Sequence, residues 1–419
     1  MLIRRLALVS LAIATILAAG HGMAQRPRRN CFVVQAPPGP AAQPSAAQQL
    51  AAHPPFFATL KEALEIEKRI ALPITKFYDT PNPLPQGKPG DLIRSEEFTG
   101  YSFPFNPDLK SKEIGMQTVR FLYHSRSVSG QDVPASGVIL IPYGKPPAGG
   151  WPVIVWAHGT SGVGRQFAPS LMKDLYYSWE GLLQWVMLGY AVVAVDYAGL
   201  GTNVPHQYLT PPAQAQDVIN AVPAARKAVK ELGAKWVLIG HSQGAGAAIC
   251  VAEKQATTQD PNYLGAIALA PVGDLLSFCE HIHNAPCRGY IGFMAYGIRS
   301  VFPDFKCSDI LTPDAMNLMR DVDKGGWFVT LAAFSEKVPP GKVLKPTWER
   351  NAHFQKFREL SLLGNKPTFG PVLLIQGEED EAIPTRATDA LHQRMLKQKS
   401  SVQYKKYPGL DHDPLMFGS

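Results

Sequence analysis

From about residue 115 onward the apolar residues gather into short runs: "MQTVRFLYHS" (116–125), "ASGVILIP" (135–142), "WPVIVWAHG" (151–159), "YAVVAVDYAG" (190–199), "KWVLIGHS" (235–242), "LGAIALAP" (264–271), "PVLLIQGEED" (371–380) and "SVQYKKYPG" (401–409). In the middle runs the apolar core is continuous instead of alternating. That is the pattern of strands buried on both faces, and it predicts an α/β fold with a mainly parallel central sheet flanked by helices. Helix candidates lie between the runs, among them 212–232, where Pro223 predicts a kink or break, and 385–398. The alternation stops between Ala270 and Pro371. The intervening segment, 271–370, reads as a cap inserted over the C-terminal strand ends, where ligands bind in open α/β sheets.

The N-terminal part has a different character. "MLIRR" followed by the apolar stretch 6–20 and the small residues of "GMA" reads as a signal peptide, 1–24, with cleavage after Ala24. The apolar stretch is too short for a comfortable membrane span, so a protein exported from the cytoplasm, secreted or periplasmic, is expected. Residues 25–60, rich in Pro and Ala, read as a flexible leader. The expected division is therefore signal 1–24, leader 25–60, core 61–270, cap 271–370 and a second piece of core, 371–419.

Composition narrows the function classes. At 46% hydrophobic residues the chain can bury a large core, which excludes global disorder. The formal charge is +7, but five arginines precede Asn30 without any acid, leaving +2 for the rest. No basic field and no nucleic-acid motif remain to support nucleic-acid binding. Export bears on the five cysteines. Cys31, Cys279, Cys287 and Cys307 are expected to form two disulfides of open connectivity, and Cys250 to be a buried free thiol. "CEHIHNAPC" (279–287) resembles a metal cluster, but its spacing fits no zinc pattern, and a disulfide-closed loop is the stronger expectation.

The chemistry concentrates at "KWVLIGHSQGAGAAIC", read as strand, tight turn and small-residue helix. Gly240 and Gly244 remove side chains that would collide at such an elbow, so Ser242 stands exposed at the strand end. A serine hydroxyl needs a base, and eleven histidines compete for that role. His241 adjoins the serine, and neighbours at a turn point apart. His412 follows the last strand candidate and is the expected base. An acid to orient it is expected from the run Glu378–Glu381, with Asp380 and Glu379 as the candidates. The expected oxyanion donors are the backbone N–H of Gln243 and, from "HGTSG", that of Thr160. His158 is expected to brace this loop, and Asp196 the turn after its own strand. "YIGFMAYGI" (290–298) reads equally as a pocket wall for an acyl or aromatic group or as cap core.

Taken together, "AHGTSGVGRQFAPS" (157–170), "DYAGLGT" (196–202), "PHQYL" (205–209), "GHSQGA" (240–245), "GEEDEAIP" (377–384) and "DHDP" (411–414) resemble the secretory lipase family of α/β-hydrolases, over about residues 75–419. The resemblance implies hydrolysis of carboxylic esters, often lipids, by a serine triad under a helical cap, without metal or organic cofactor. Carried over by position, it makes Ser242 the nucleophile, Asp380 the acid and His412 the base, in the chain order of α/β-hydrolases. Phe167 stands where several members carry Cys. The substrate partner implied is an ester or lipid, with an oil–water interface as one place of encounter. The alternatives are an exopeptidase or amidase on the same scaffold and a catalytically silent binding protein. The sequence leaves the oligomeric state open.

Overall fold

All eight apolar runs become strands, and all eight join one nine-stranded sheet. In chain order the strands are β1 (Leu92–Glu97), β2 (Ser102–Phe103), β3 (Asn106–Lys110), β4 (Gln117–Arg126), β5 (Asp132–Ile141), β6 (Trp151–Ala157), β7 (Ala191–Val195), β8 (Leu232–His241), β9 (Tyr263–Leu269), β10 (Val372–Gly377) and β11 (Val402–Tyr407). The structure is a computed structural model describing residues 59–103, 106–110, 116–176 and 181–418. The signal segment, all but the end of the leader, and Cys31 lie outside the described residues.

The sheet order is β1-β4-β5-β7-β6-β8-β9-β10-β11, with β2 and β3 forming a separate antiparallel pair. Strands β7 through β11 in that order run parallel, while β1, β4 and β5 add an antiparallel edge. The continuous apolar runs explain the parallel part. β7 ("AVVAV") and β10 ("VLLIQG") are buried at every position, because helices cover both sheet faces. β1 has no apolar run to announce it, since "LIRSEE" is a partly exposed edge strand. From β6 the chain turns to one side to make β7, then returns to the other side for β8. Loops leaving β6 and β8 therefore face each other at a topological switch point, where open α/β sheets hold their ligands.

The helices are α1 (Leu60–Ile70), α2 (Leu182–Met187), α3 (Pro211–Ala228), α4 (Gln243–Thr258), α5 (Leu275–Ile282), α6 (Tyr290–Val301), α7 (Pro313–Met319), α8 (Trp327–Lys337), α9 (Ala352–Ser361), α10 (Thr385–Lys397) and α11 (Leu415–Gly418). Two expectations are corrected. α3 runs unbroken through Pro223. Its buried face packs on the sheet and on α4, and that burial outweighs the one backbone hydrogen bond a proline forfeits. Nor do Cys279, Cys287 and Cys307 form disulfides: each is a free, buried thiol, as is Cys250. They serve as packing atoms of the helical segment, Cys279 Sγ lying 3.1 Å from Met294 Sδ and Cys307 against the Ala295 carbonyl.

Helices α5 to α9 all fall between β9 and β10 and share their own apolar cluster, which includes Phe293, Met294, Ile298, Trp327 and Phe334. α6 contributes "YIGFMAYGI" to it as buried core. α1 lies along α8 and the two cap one another. Glu67 accepts from the Gly326 and Val329 N–H groups at the start of α8 (2.9 Å each), and Glu336 accepts from the Leu60 N–H (2.6 Å). Each carboxylate thus satisfies orphan donors at the other helix's N-terminus. Among the described residues no helix is long and apolar enough to cross a membrane.

Candidate active site

Between β8 and α4 the chain turns through Ser242, whose φ of 54° and ψ of −114° are strained for a residue with a β-carbon. The close approach that enforces this turn explains the two flanking glycines. A β-carbon on Gly240 would collide with the Gly244 carbonyl, and one on Gly244 with the Ala157 carbonyl of β6. The elbow is tied down by the Ser242 N–H donating to the Leu269 carbonyl (2.8 Å), leaving the hydroxyl to face the loops beyond the sheet.

There it meets His412, delivered by the loop after β11. Ser242 Oγ lies 2.9 Å from His412 Nε2, and His412 Nδ1 lies 2.8 Å from Asp380 Oδ2. Asp380 is buried, whereas Glu378, Glu379 and Glu381 of the same acidic run are exposed. Its Oδ1 accepts from the Ala382 and Ile383 N–H groups (2.9 and 2.7 Å), and its Oδ2 also accepts from Gln376 Nε2 (2.9 Å). The carboxylate is therefore held at both oxygens, with one lone pair aimed at the imidazole. Burial works against a charge on His412. The adjacent Asp380 carboxylate, supported by Asp413 and Asp411, overcomes this and raises its pKa from 6.5 to about 9.

Two neighbours of this row were not assigned a part by sequence reasoning. His241 does not reach the serine. Its Nε2–H instead donates to the His412 carbonyl (3.1 Å), with the two rings 4.7 Å apart. Burial, together with the charge on His412, keeps its pKa well below the usual value. Asp413 lies beside both histidines, with Oδ1 4.0 Å from His241 Nε2, and burial raises its pKa to about 7. The "DHDP" stretch was the only signal that could have pointed to it. Among the described residues these three also form the one group with metal-ligand spacing. His412, however, already spends both nitrogens on Ser242 and Asp380. The Cys and His residues of 279–287 form no such group, and His281 donates to the Glu381 carbonyl instead.

The loop after β6 runs past the serine, with Gly159 so close to the Tyr176 hydroxyl and to His241 Nδ1 that a β-carbon there would crowd both. His158 Nδ1–H donates to the Gly159 carbonyl (2.5 Å), and the His158 carbonyl accepts from Tyr197 Oη (3.0 Å). A peptide unit is planar and trans, so holding the Gly159 oxygen fixes the opposite direction of the Thr160 N–H. Burial lowers the His158 pKa to about 3, which keeps the ring neutral and suits a structural brace. Within the described residues neither the Thr160 N–H nor the Gln243 N–H donates to another group. The Gln243 side chain is itself held: its Nε2 donates to His206 Nε2 (3.1 Å), and His206 Nδ1–H donates to the Ala198 carbonyl (2.9 Å). Asp196 braces the neighbouring turn, accepting from Ser136 Oγ (2.7 Å) and from the Ser170 N–H (2.9 Å).

A family model described as secretory lipase matches residues 179–415. Among solved structures, the chain is similar to the rice cell wall degrading esterase LipA from Xanthomonas oryzae. The TM-score is 0.64 at 18% identity, over 77% of this chain and 92% of that one. It is also similar to Candida antarctica lipase A in its closed state, with a TM-score of 0.66 at 14% identity over 82% and 83% of the two chains. A putative hydrolase from Legionella pneumophila gives 0.64 at 18% identity, over 78% and 95%. These likenesses show the α/β-hydrolase fold. No curated protein matches the chain by sequence.

Proposed function

The chain belongs to the secretory lipase family and is a carboxylic ester hydrolase, and from that premise we propose that it is a secreted lipase or lipid-accepting carboxylesterase with Ser242 as nucleophile, His412 as base and Asp380 as acid. What carries this reading is one unbroken hydrogen-bonded row, Ser242 to His412 to Asp380, with two backbone N–H groups nearby that donate to no other group among the described residues. His412 Nε2 takes the Ser242 proton as Oγ attacks the ester carbonyl, while Asp380 holds the tautomer and balances the imidazolium. The Gln243 and Thr160 N–H groups receive the oxyanion, worth about 2.7–4 kcal/mol of barrier each. His412 then passes its proton to the leaving alcohol. Water, deprotonated by the same nitrogen, releases the acid from the acyl-enzyme and restores the serine.

The division into core 61–270 and 371–419 with a cap at 271–370 belongs to the same reading. Ser242 is only 6% exposed and His412 2% exposed, as expected of a row covered by a cap. Residues of the helical segment stand at the site: the Trp327 N–H donates to the Ser161 carbonyl (3.0 Å), and the Phe293 ring lies against Tyr208. Export is supported by the basic and apolar N-terminus and by the secretory description of the family.

The test is turnover of short- and long-chain p-nitrophenyl esters, an emulsified triglyceride and an aminoacyl anilide. Ester turnover that rises with chain length and at the oil–water interface is expected. Hydrolysis of the anilide alone would overturn the reading in favour of an amidase. The acid limb of kcat/KM gives a second check. Only neutral imidazole can accept the serine proton, and the carboxylates around His412 favour its charged form. Activity should therefore fall as pH drops through an apparent pKa above 6.5. A profile flat from about pH 5 to 8 would argue against His412 as base.

A further inference from the structure

Two tyrosines outside the hydrogen-bonded row converge on Thr160. Tyr176 Oη donates to the Thr160 carbonyl (3.1 Å), and Tyr208 Oη lies 2.8 Å from Thr160 Oγ1. We propose that Tyr176 and Tyr208 are positioning residues: they lock Thr160 in the orientation that presents its N–H to the oxyanion, and Tyr208 ties that orientation to helix α6. The proposal rests on the serine-esterase reading above.

The argument is geometric. Two peptide planes meet at the Thr160 α-carbon and can swivel about its two soft dihedrals. His158 holds the oxygen of the first plane, Tyr176 the oxygen of the second, and Tyr208 the side chain. With all three held, the N–H has one direction left, and a donor fixed before reaction needs no reorganisation when charge develops. Burial pushes the Tyr208 hydroxyl up, so it stays protonated, and either hydroxyl of the Tyr208–Thr160 pair can donate to the other. Tyr176 reaches its place only through a strained approach, with Leu175 and Tyr176 at φ of 53° and 73°. Such strain persists where the surroundings over-determine it. The Tyr208 ring is 5.8 Å from Phe293, and a β-carbon on Gly297 would collide with the Tyr208 carbonyl. Both contacts come from α6, so displacement of that helix frees the ring that holds the donor.

The test compares Tyr208→Phe, Tyr176→Phe, Thr160→Val and the Tyr208→Phe/Thr160→Val pair on p-nitrophenyl butyrate, with inhibition by a boronic acid that mimics the tetrahedral intermediate. Each single variant is expected to lower kcat about ten- to a hundredfold with KM held within about twofold. Boronic acid affinity should fall by the same factor. The double variant should be no slower than the worse single one, because both changes break one contact. Additive losses, losses carried by KM, or wild-type kcat in Tyr208→Phe would overturn the proposal. If Tyr208→Phe fails to fold, Thr160→Val, which leaves every ring in place, carries the test. Labelling of Ser242 by a fluorophosphonate separates the two levels. A wild type that is labelled and active, with tyrosine variants at full rate, overturns the clamp alone. A wild type neither labelled at Ser242 nor active on esters overturns both.

Discussion

Ser242→Ala is expected to lower kcat on a p-nitrophenyl ester by about a millionfold and to remove the acylation burst. The size of the loss follows from the cooperative row. Without Oγ there is no atom for His412 to activate, and His412 and Asp380 become a base and its support with nothing to deprotonate. The fold should survive, because among the described residues the hydroxyl's hydrogen-bond partner is His412. Removing it costs about 1 kcal/mol of stability, and the backbone of the elbow is tied by the Ser242 N–H to the Leu269 carbonyl, which the substitution leaves alone. Stopped-flow acylation and thermal unfolding check the two halves. A variant that folds like the wild type and still turns over ester at its rate would refute the assignment of the nucleophile.

Asp380→Asn should cost about 10⁴-fold in kcat, more than a simple loss of charge would suggest. Oδ1 accepts from two backbone N–H groups, so the asparagine must place its oxygen there. Its NH₂ then occupies the Oδ2 position, facing Gln376 Nε2 and His412 Nδ1. Gln376 cannot turn to accept, since its own oxygen receives the Thr388 hydroxyl (2.6 Å). His412 is pushed to the tautomer with the proton on Nε2, where it opposes the Ser242 hydroxyl instead of accepting from it. Steady-state kinetics with the folded variant measures the loss. A drop of less than about tenfold would mean that the imidazole is oriented by something other than Asp380.

The two assignments differ in how far they could be read along the chain. The elbow is a local matter: an apolar run, two glycines and a small-residue helix follow each other within a few positions, and each is required by contacts at that turn. The choice of Asp380 within its acidic run needed the family layout. In the fold, the tight turn after β10 buries that one carboxylate and leaves its three neighbours in solvent. The disulfide expectation came from compartment and cysteine count, neither of which carries information on distance. β1 was missed because an edge strand with one wet face need not be apolar.

The layered α/β plan and the glycine-flanked turn at Ser242 were legible along the chain, because strand burial and turn sterics act over a few residues. The further contacts, of Tyr176 and Tyr208 with Thr160 and of Asp413 with His241, were set only in the tertiary structure. The Ser242–His412 contact spans 170 positions and the Thr160–Tyr208 contact 48. Such pairings depend on strand order and on the loops that the sheet's switch point brings face to face. The lengths of those hydrogen bonds are set there.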